Sequence, residues 1–407
     1  MSAVIRRARS PHGVLMVAGL IACLAAMAMA ALSSSANAAS KTFNVLFVTP
    51  LSGPLSVIGK AEDPALRGAA DLINRKYKGI NKQKVVVDVR DDSGDGAKST
   101  AAALQALNEK KYNLVVCGST GDSAVPCSKA IARNPALQIP SASDARMNDP
   151  KNLPRTFNAG SPPDPAIRGV IEKMKKDGVK KFAIINADNS VGRQYAGVAA
   201  IVAKKEKMTI TDTIFVPPSV TDATPYVQKA DSSGADAFVS QAFTAANPRV
   251  ITARHKLGIK KKLYLDWYAS SANLTSLTAD QRAGVISQVW PWMVKGNKAQ
   301  KTVAFKTVMK QYAKFNNGST ATPIAVTAIV NTWDILLHVM VAAKKAKSTD
   351  GNKMAKAIER IPESKAVPYF VGSKLLYSPR FHAYRTTSKE FTYINAGTMA
   401  DGIITPG

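Results

Sequence analysis

Two kinds of apolar pattern alternate along the chain from Phe43 to about Leu265: short continuous runs, and stretches whose apolar residues recur every three or four positions. The first pair sets the theme. Phe43-Asn44-Val45-Leu46-Phe47-Val48-Thr49 is a β-branched, apolar run stopped by Pro50-Leu51-Ser52-Gly53-Pro54, which predicts a strand ending in a turn. Beyond Gly59-Lys60-Ala61-Glu62-Asp63, Leu66, Ala69, Ala70 and Ile73 keep helical spacing, and Pro64 suits the first turn of a helix. Lys84–Arg90 then reads as a second strand, completing a βαβ unit with a ligand crevice at the carboxyl ends of its strands.

The alternation continues. Helix 97–110, strand 113–117, a turn at Gly118–Ser123 that opens a helix, and strand 136–140 follow in order. The breaker-rich Phe157–Pro165 predicts a crossing between domains. After it come helix 166–177, strand 181–185, helix 192–205, strand 209–216, helix 224–232, strand 235–240, helix 248–257 and strand 263–265. Val289-Trp290-Pro291-Trp292-Met293 reads as a return crossing, because only helical patterns (301–315, 323–345, 351–360) follow it. The apolar stretch 323–343 is long enough to span a bilayer, yet Asn331, Asp334 and His338 interrupt one side, which favours a buried core helix. Short apolar runs within 370–394 are left to supply the last strands.

Residues 1–38 stand apart. Arg6, Arg7 and Arg9 precede an apolar run from Val14 to Leu32, and Ala36-Asn37-Ala38 offers a small-residue cleavage site. That is the pattern of a secretory signal peptide cleaved near Ala38, with an uncleaved anchor as the other reading. Of 55 Lys and Arg and 28 Asp and Glu, the segment removes three arginines and no acid, so 52 basic and 28 acidic residues remain and the exported net is +24. Such a charge suits nucleic acid or an anionic surface. The lysines, however, are spread over helix faces (Lys173, Lys175, Lys176; Lys204, Lys205, Lys207; Lys344, Lys345, Lys347) without interleaved aromatics, which argues for solvated faces and against a nucleic-acid partner. Cys23 leaves with the signal; Cys117 and Cys127 remain as a pair, open to a disulfide or to two buried thiols.

Several chemistries fail on spacing. Gly53 and Gly59 lie one residue too far apart for a phosphate-binding loop, Pro54 removes a cradling N–H, and Ala61 has no hydroxyl for magnesium. Asp91-Asp92-Ser93-Gly94-Asp95-Gly96 opens like a calcium loop, but Ala102 stands where the bidentate glutamate belongs. No nucleophile elbow surrounds Ser119 or Ser123, and the exported histidines are only His255, His338 and His382. No cofactor or metal is expected, and a non-enzymatic role is favoured over a secreted hydrolase.

Two turns at strand ends remain: Gly118-Ser119-Thr120-Gly121-Asp122-Ser123 and Pro140-Ser141-Ala142-Ser143-Asp144. Short hydroxyls and N–H groups at a helix start bind carboxylates without a full charge, although ordinary capping uses the same residues. Across a cleft, the second half offers Asp188, Asn189 and Val191, then Phe243 and Thr244, then Asp266-Trp267-Tyr268, each group following a strand. Aromatics beside polar groups suit a small ligand gripped between lobes.

Taken together, Phe47–Pro54 with Gly59, the helix ending Asp71-Leu72-Ile73-Asn74, Asp91-Asp92, and the Gly-Ser and Pro-Ser-Ala-Ser turns resemble the extracytoplasmic solute-binding proteins of the branched-chain amino acid (leucine/isoleucine/valine-binding) type. The resemblance runs from about Thr42 almost to the end and is strongest before Asp164. It implies an α/β, type I periplasmic-binding-protein fold: two doubly wound lobes with parallel central sheets, residues 41–158 plus 294–378 and 159–293 plus 379–407, joined by a three-segment hinge. It further implies a periplasmic monomer that captures a small ligand and presents it to the permease of an ABC transporter in the inner membrane; a ligand-sensing partner of a membrane receptor uses the same fold.

Carried over by position, the first-lobe contacts are Ile58, the Gly121-Asp122-Ser123 turn on a carboxylate, and Ser141 and Ser143 on the ligand's polar head; Ser119, from the turn itself, is added as a candidate contact. On the second lobe the family's tyrosines fall at Val191 and Phe243, and its ammonium-pairing acid falls at Tyr268, leaving Asp266 nearby. A buried ammonium without a carboxylate costs several kcal/mol. The expected ligand is therefore a carboxylate or other small polar compound, aromatic ones included, held near Phe243, Trp267 and Tyr268 rather than a plain amino acid.

Overall fold

A computed structural model describes residues 42–242 and 246–407. The signal-peptide segment and the candidate residues Phe243 and Thr244 lie outside the described residues. β1 (Thr42–Thr49), α1 (Ser56–Tyr77), β2 (Lys84–Asp91), α2 (Gly96–Glu109), β3 (Leu114–Cys117), α3 (Gly121–Ala130) and β4 (Leu137–Gln138) follow the predicted alternation. Their four strands form one sheet in the order β2-β1-β3-β4, with β1-β3 and β3-β4 parallel. The apolar strand faces drive this: Val45, Leu46, Phe47 and Val48 of β1 are all fully buried, as a strand covered on both sides requires.

Helix α1 departs from expectation. It begins eight residues before Pro64, which sits inside it, so the Gly59–Asp63 stretch is helical rather than a preceding loop. Proline removes one backbone bond there. Burial of Ile58, Ala61, Glu62, Ala65 and Leu66 on either side of it holds the helix together.

After the first crossing come α4 (Pro163–Lys176), β5 (Lys181–Ala187), α5 (Ser190–Glu206), β6 (Thr209–Val216), α6 (Thr224–Ser232), β7 (Ala237–Gln241), α7 (Ala246–Lys256), β8 (Leu263–Leu265), α8 (Ala279–Arg282) and β9 (Val285–Val289). The six-stranded sheet runs β10 (Thr392–Asn395), β9, β8, β7, β5, β6, parallel from β6 to β9. β9 was not foreseen; its run merges into the Val289–Met293 stretch that reads as a crossing. The chain then returns to the first sheet's side as α9 (Val303–Phe315), α10 (Thr327–Ala346) and α11 (Gly351–Ile358), with α9 and α10 packed on α1. A Cβ on Gly68 of α1 would stand 3.1 Å from Gln311 of α9, which measures how closely those helices approach.

α10 starts at Thr327, not at Pro323, and residues 323–326 are irregular. The helix is nonetheless the buried core element expected, and among the described residues no helix is long and apolar enough to cross a membrane. A third crossing leads to β10 (Thr392–Asn395), antiparallel to β9, and to the hairpin β11 (Thr398–Ala400) and β12 (Ile403–Thr405). Most of 370–391 is irregular, because its apolar residues (Leu376, Tyr377, Ala383, Tyr384) pack singly into the core instead of pairing as strands.

Candidate ligand-binding site

In both sheets the strand order reverses next to the first strand, between β1 and β3 and between β5 and β7. Parallel sheets leave a crevice beyond the carboxyl ends at such a point. A cavity of about 60 Å³ lies there, walled by residues that follow β1, β3, β4, β5 and β8.

The wall after β1 is helix α1. A Cβ on Gly59 would lie 2.2 Å from the Pro50 carbonyl oxygen, so the helix is pressed against the turn that ends the strand. Ile58 and Glu62, one helical turn apart, therefore face the cavity together. Glu62 is 2% exposed. Its Oε2 accepts from the hydroxyls of Ser119 at 2.5 Å and Thr49 at 2.9 Å. Burial pushes the carboxyl up to about 7, against the opposing hydroxyls of Ser119, Thr49 and Ser141.

After β3, Gly118 at φ 81 turns the chain and Thr120 caps α3. Ser119, Thr120 and Gly121 line the cavity. Ser123 does not: its hydroxyl lies 3.3 Å from the Thr120 N–H and closes a capping box. Asp122 is exposed and borders an adjoining hollow of about 260 Å³, which shares Thr120, Gly121, Val191 and Tyr268 with the cavity. Beneath this turn Cys117 and Cys127 form a disulfide with Cα atoms 6.4 Å apart, resolving the alternative left open by sequence.

Ser141 and Ser143 follow β4, each 8% exposed, and both line the cavity. Next to them Asp144 is tied to Arg146 at 2.6 Å; burial raises this carboxyl, but the guanidinium outweighs it and holds it below the usual carboxylate range. From the second sheet's side Ser190 reaches Asp144 at 3.4 Å, and Gln194 accepts the Ala145 N–H at 2.9 Å. These bonds join the loop after β4 to the first turns of α5 across the cleft.

Val191, Trp267 and Tyr268 complete the opposite wall. Trp267 and Tyr268 meet edge to face, ring centroids 5.7 Å apart. Asp266 stands behind this wall: its Oδ1 accepts the Ala269 N–H at 2.8 Å, and burial pushes it up to about 7 against the opposing pull of the buried Tyr195 hydroxyl. The sequence reading thus assembled Ile58, Ser119, Gly121, Ser141, Ser143, Val191, Trp267 and Tyr268 around one space, while Asp122, Ser123 and Asp266 sit beside or behind it.

Sequence reasoning missed Glu62, Gly160, Ser271 and the segment from Ile324 to Asn331. An acid one turn after Ile58 on a buried helix face was the available signal for Glu62, and the polar interruption at Asn331 was a signal for α10. Nothing local distinguished Ile324, Ala325 or Ala328.

The sequence model of the family described as periplasmic binding protein matches residues 42–379. The Leu/Ile/Val-binding protein homolog 3 of Brucella melitensis is 27% identical over 240 residues, 58% of this chain and 64% of that protein, so the chain spans under two thirds of this relative's length. Among solved structures, a periplasmic binding protein type 1 from Bordetella pertussis Tohama I superposes with a TM-score of 0.78 at 16% identity, over 90% of this chain and 100% of that one. The solute-binding protein of an ABC transporter from R. palustris, in complex with 4-hydroxybenzoate, gives 0.69 at 16% identity over 90% and 96%. At such identities the likeness establishes the two-lobed type I fold with its three-segment hinge.

Proposed function

We propose that this chain, which belongs to the periplasmic binding protein family, captures a small carboxylate solute between its lobes and hands it, without turnover, to an ABC importer in the inner membrane. The observation that carries the reading is the cavity at the facing carboxyl ends of the two sheets, walled by hydroxyls on one side and an aromatic pair on the other. In this reading the first lobe comprises 41–158 plus 294–378 and the second 159–293 plus 379–407, and the exported monomer works in the periplasm.

The ligand's carboxylate sits at the start of α3, where Thr120 and Gly121 present their turn to the cavity and the helix dipole favours negative charge. Ser141 and Ser143 add hydroxyls, and the ligand body lies against Ile58, Val191, Trp267 and Tyr268. Asp266, engaged by Ala269 and Tyr195, positions the Trp267-Tyr268 turn rather than touching ligand. The names of the relatives span aliphatic amino acids and an aromatic acid. The edge-to-face aromatic pair supports the aromatic or aliphatic acid.

A thermal-shift screen of the exported chain against amino acids, aliphatic and aromatic carboxylates, amides and ureas tests this. Ligand at a hundredfold over Kd adds about 2.7 kcal/mol to stability. Stabilisation by carboxylates that Ser141→Ala and Tyr268→Ala each weaken is the expected result; stabilisation confined to leucine, isoleucine and valine would refute the ligand class.

A further inference from the structure

The cavity of this strongly basic chain is walled without a base. Among the described residues that line it, Glu62 is the one carboxyl, and no Lys, Arg or His stands there. The groups facing Glu62 from the elements around it are the hydroxyls of Thr49 at the end of β1, Ser119 after β3 and Ser141 after β4, the buried acid Asp92 after β2, and, across the cavity, Tyr268. On its own helix Lys60 is exposed and Asp63 is bound to Arg67 at 2.7 Å. A carboxylate ligand seated at Thr120 and Gly121 therefore meets an acid where a counter-ion would be expected.

Two carboxylates sharing a small, dry space do not both ionise; one of them keeps its proton. We propose that Glu62 is held neutral and donates its proton as a hydrogen bond toward the anionic ligand, so that the cavity takes up the anion together with that proton. When Glu62 starts ionised, one proton from solution forms its O–H bond as the anion enters, and no other bond changes. When it starts neutral, no proton is exchanged. The carboxyl's rise to about 7 by burial supports the same picture, and the negative charge of Asp92 adds to that rise. The inference rests on the carboxylate reading above.

The first arm of the test needs no ligand. Melting of the intact wild-type chain and of Glu62→Gln is followed from pH 4 to pH 8. A carboxyl raised in the fold contributes stability that is complete below its unfolded value of 4.5 and is lost as pH rises through about 7. Wild type should lose melting temperature relative to Glu62→Gln across that window; parallel curves would overturn the proposal. If Glu62→Gln does not fold, Ser119→Ala serves, because it removes a hydroxyl that favours the ionised form and must move the wild-type transition to higher pH.

The second arm titrates 4-hydroxybenzoate, benzoate and L-valine calorimetrically at pH 6 and pH 8 in buffers of different ionisation heat. Benzoate-class binding should take up one proton at pH 8 and weaken about tenfold per pH unit above 7 in wild type, and should be flat with pH in Glu62→Gln. Valine binding without proton uptake while the benzoates stay silent would overturn it. Absence of binding by all three refutes the carboxylate reading, and the melting curves then still decide the state of Glu62.

Discussion

The ring of His382 stacks on that of Phe157, centroids 3.9 Å apart and planes at 24°. The two residues belong to the first and third chain crossings, and the Asn158 N–H donates to the His382 carbonyl at 2.7 Å beside them. The His382 ring nitrogens stand 3.0 Å from the Thr156 carbonyl and 3.1 Å from the Glu359 carboxylate. The hinge is thus a packed joint and not a loose tether. Phe157 is fully buried, so Phe157→Ala should cost about 3–5 kcal/mol in denaturant unfolding. A loss below about 1 kcal/mol would show that the joint carries little of the fold.

His338 of α10 lies fully buried, stacked on Tyr377 with centroids 5.0 Å apart. Burial lowers its pKa from 6.5 to about 3, so the folded state holds it neutral. Its contribution to stability is complete above 6.5 and is lost as pH falls toward about 3. Wild type should lose up to about 1.4 kcal/mol per pH unit in that window from this group. His338→Leu should flatten that part of the acid-unfolding profile, and an unchanged slope would contradict the assignment.

The Cys117–Cys127 bridge closes a short loop, with the cysteines ten residues apart in sequence. Replacing both by serine, or reducing the wild type, should cost about 2–3 kcal/mol in equilibrium unfolding. Because the bridge ties the end of β3 to α3, the same change should weaken ligand binding at Thr120 and Gly121; unaltered affinity would place the bridge in stability alone.

Gly121 sits where the two lobes meet. A Cβ there would stand 2.3 Å from Asp144 Oδ2 and 2.9 Å from Ser190 Oγ. Gly121→Val should reduce affinity for the screened ligand at least tenfold, read from the fluorescence of the cavity-wall tryptophan Trp267. Gly197→Ala is the control. Its Cβ enters open space inside α5, so stability should rise by about 0.5–1 kcal/mol with binding unchanged.

Periodicity along the chain was enough to determine the alternating strands and helices as far as β8, and the polar turns after β3 and β4, because each depends on neighbours a few residues away. Even Pro64 misled only about where α1 begins, since burial of Ile58, Ala61 and Ala65 outweighs one lost backbone bond. Tertiary structure alone decided what meets in the cleft. An apolar face records that it is buried, not against what. Hence Glu62 enters the wall because Gly59 lets α1 press onto the turn at Pro50, Ile324–Asn331 arrives from more than two hundred residues away, and Asp266 turns back to Ala269. The chemistry of the pocket follows from those long-range approaches, which no local pattern encodes.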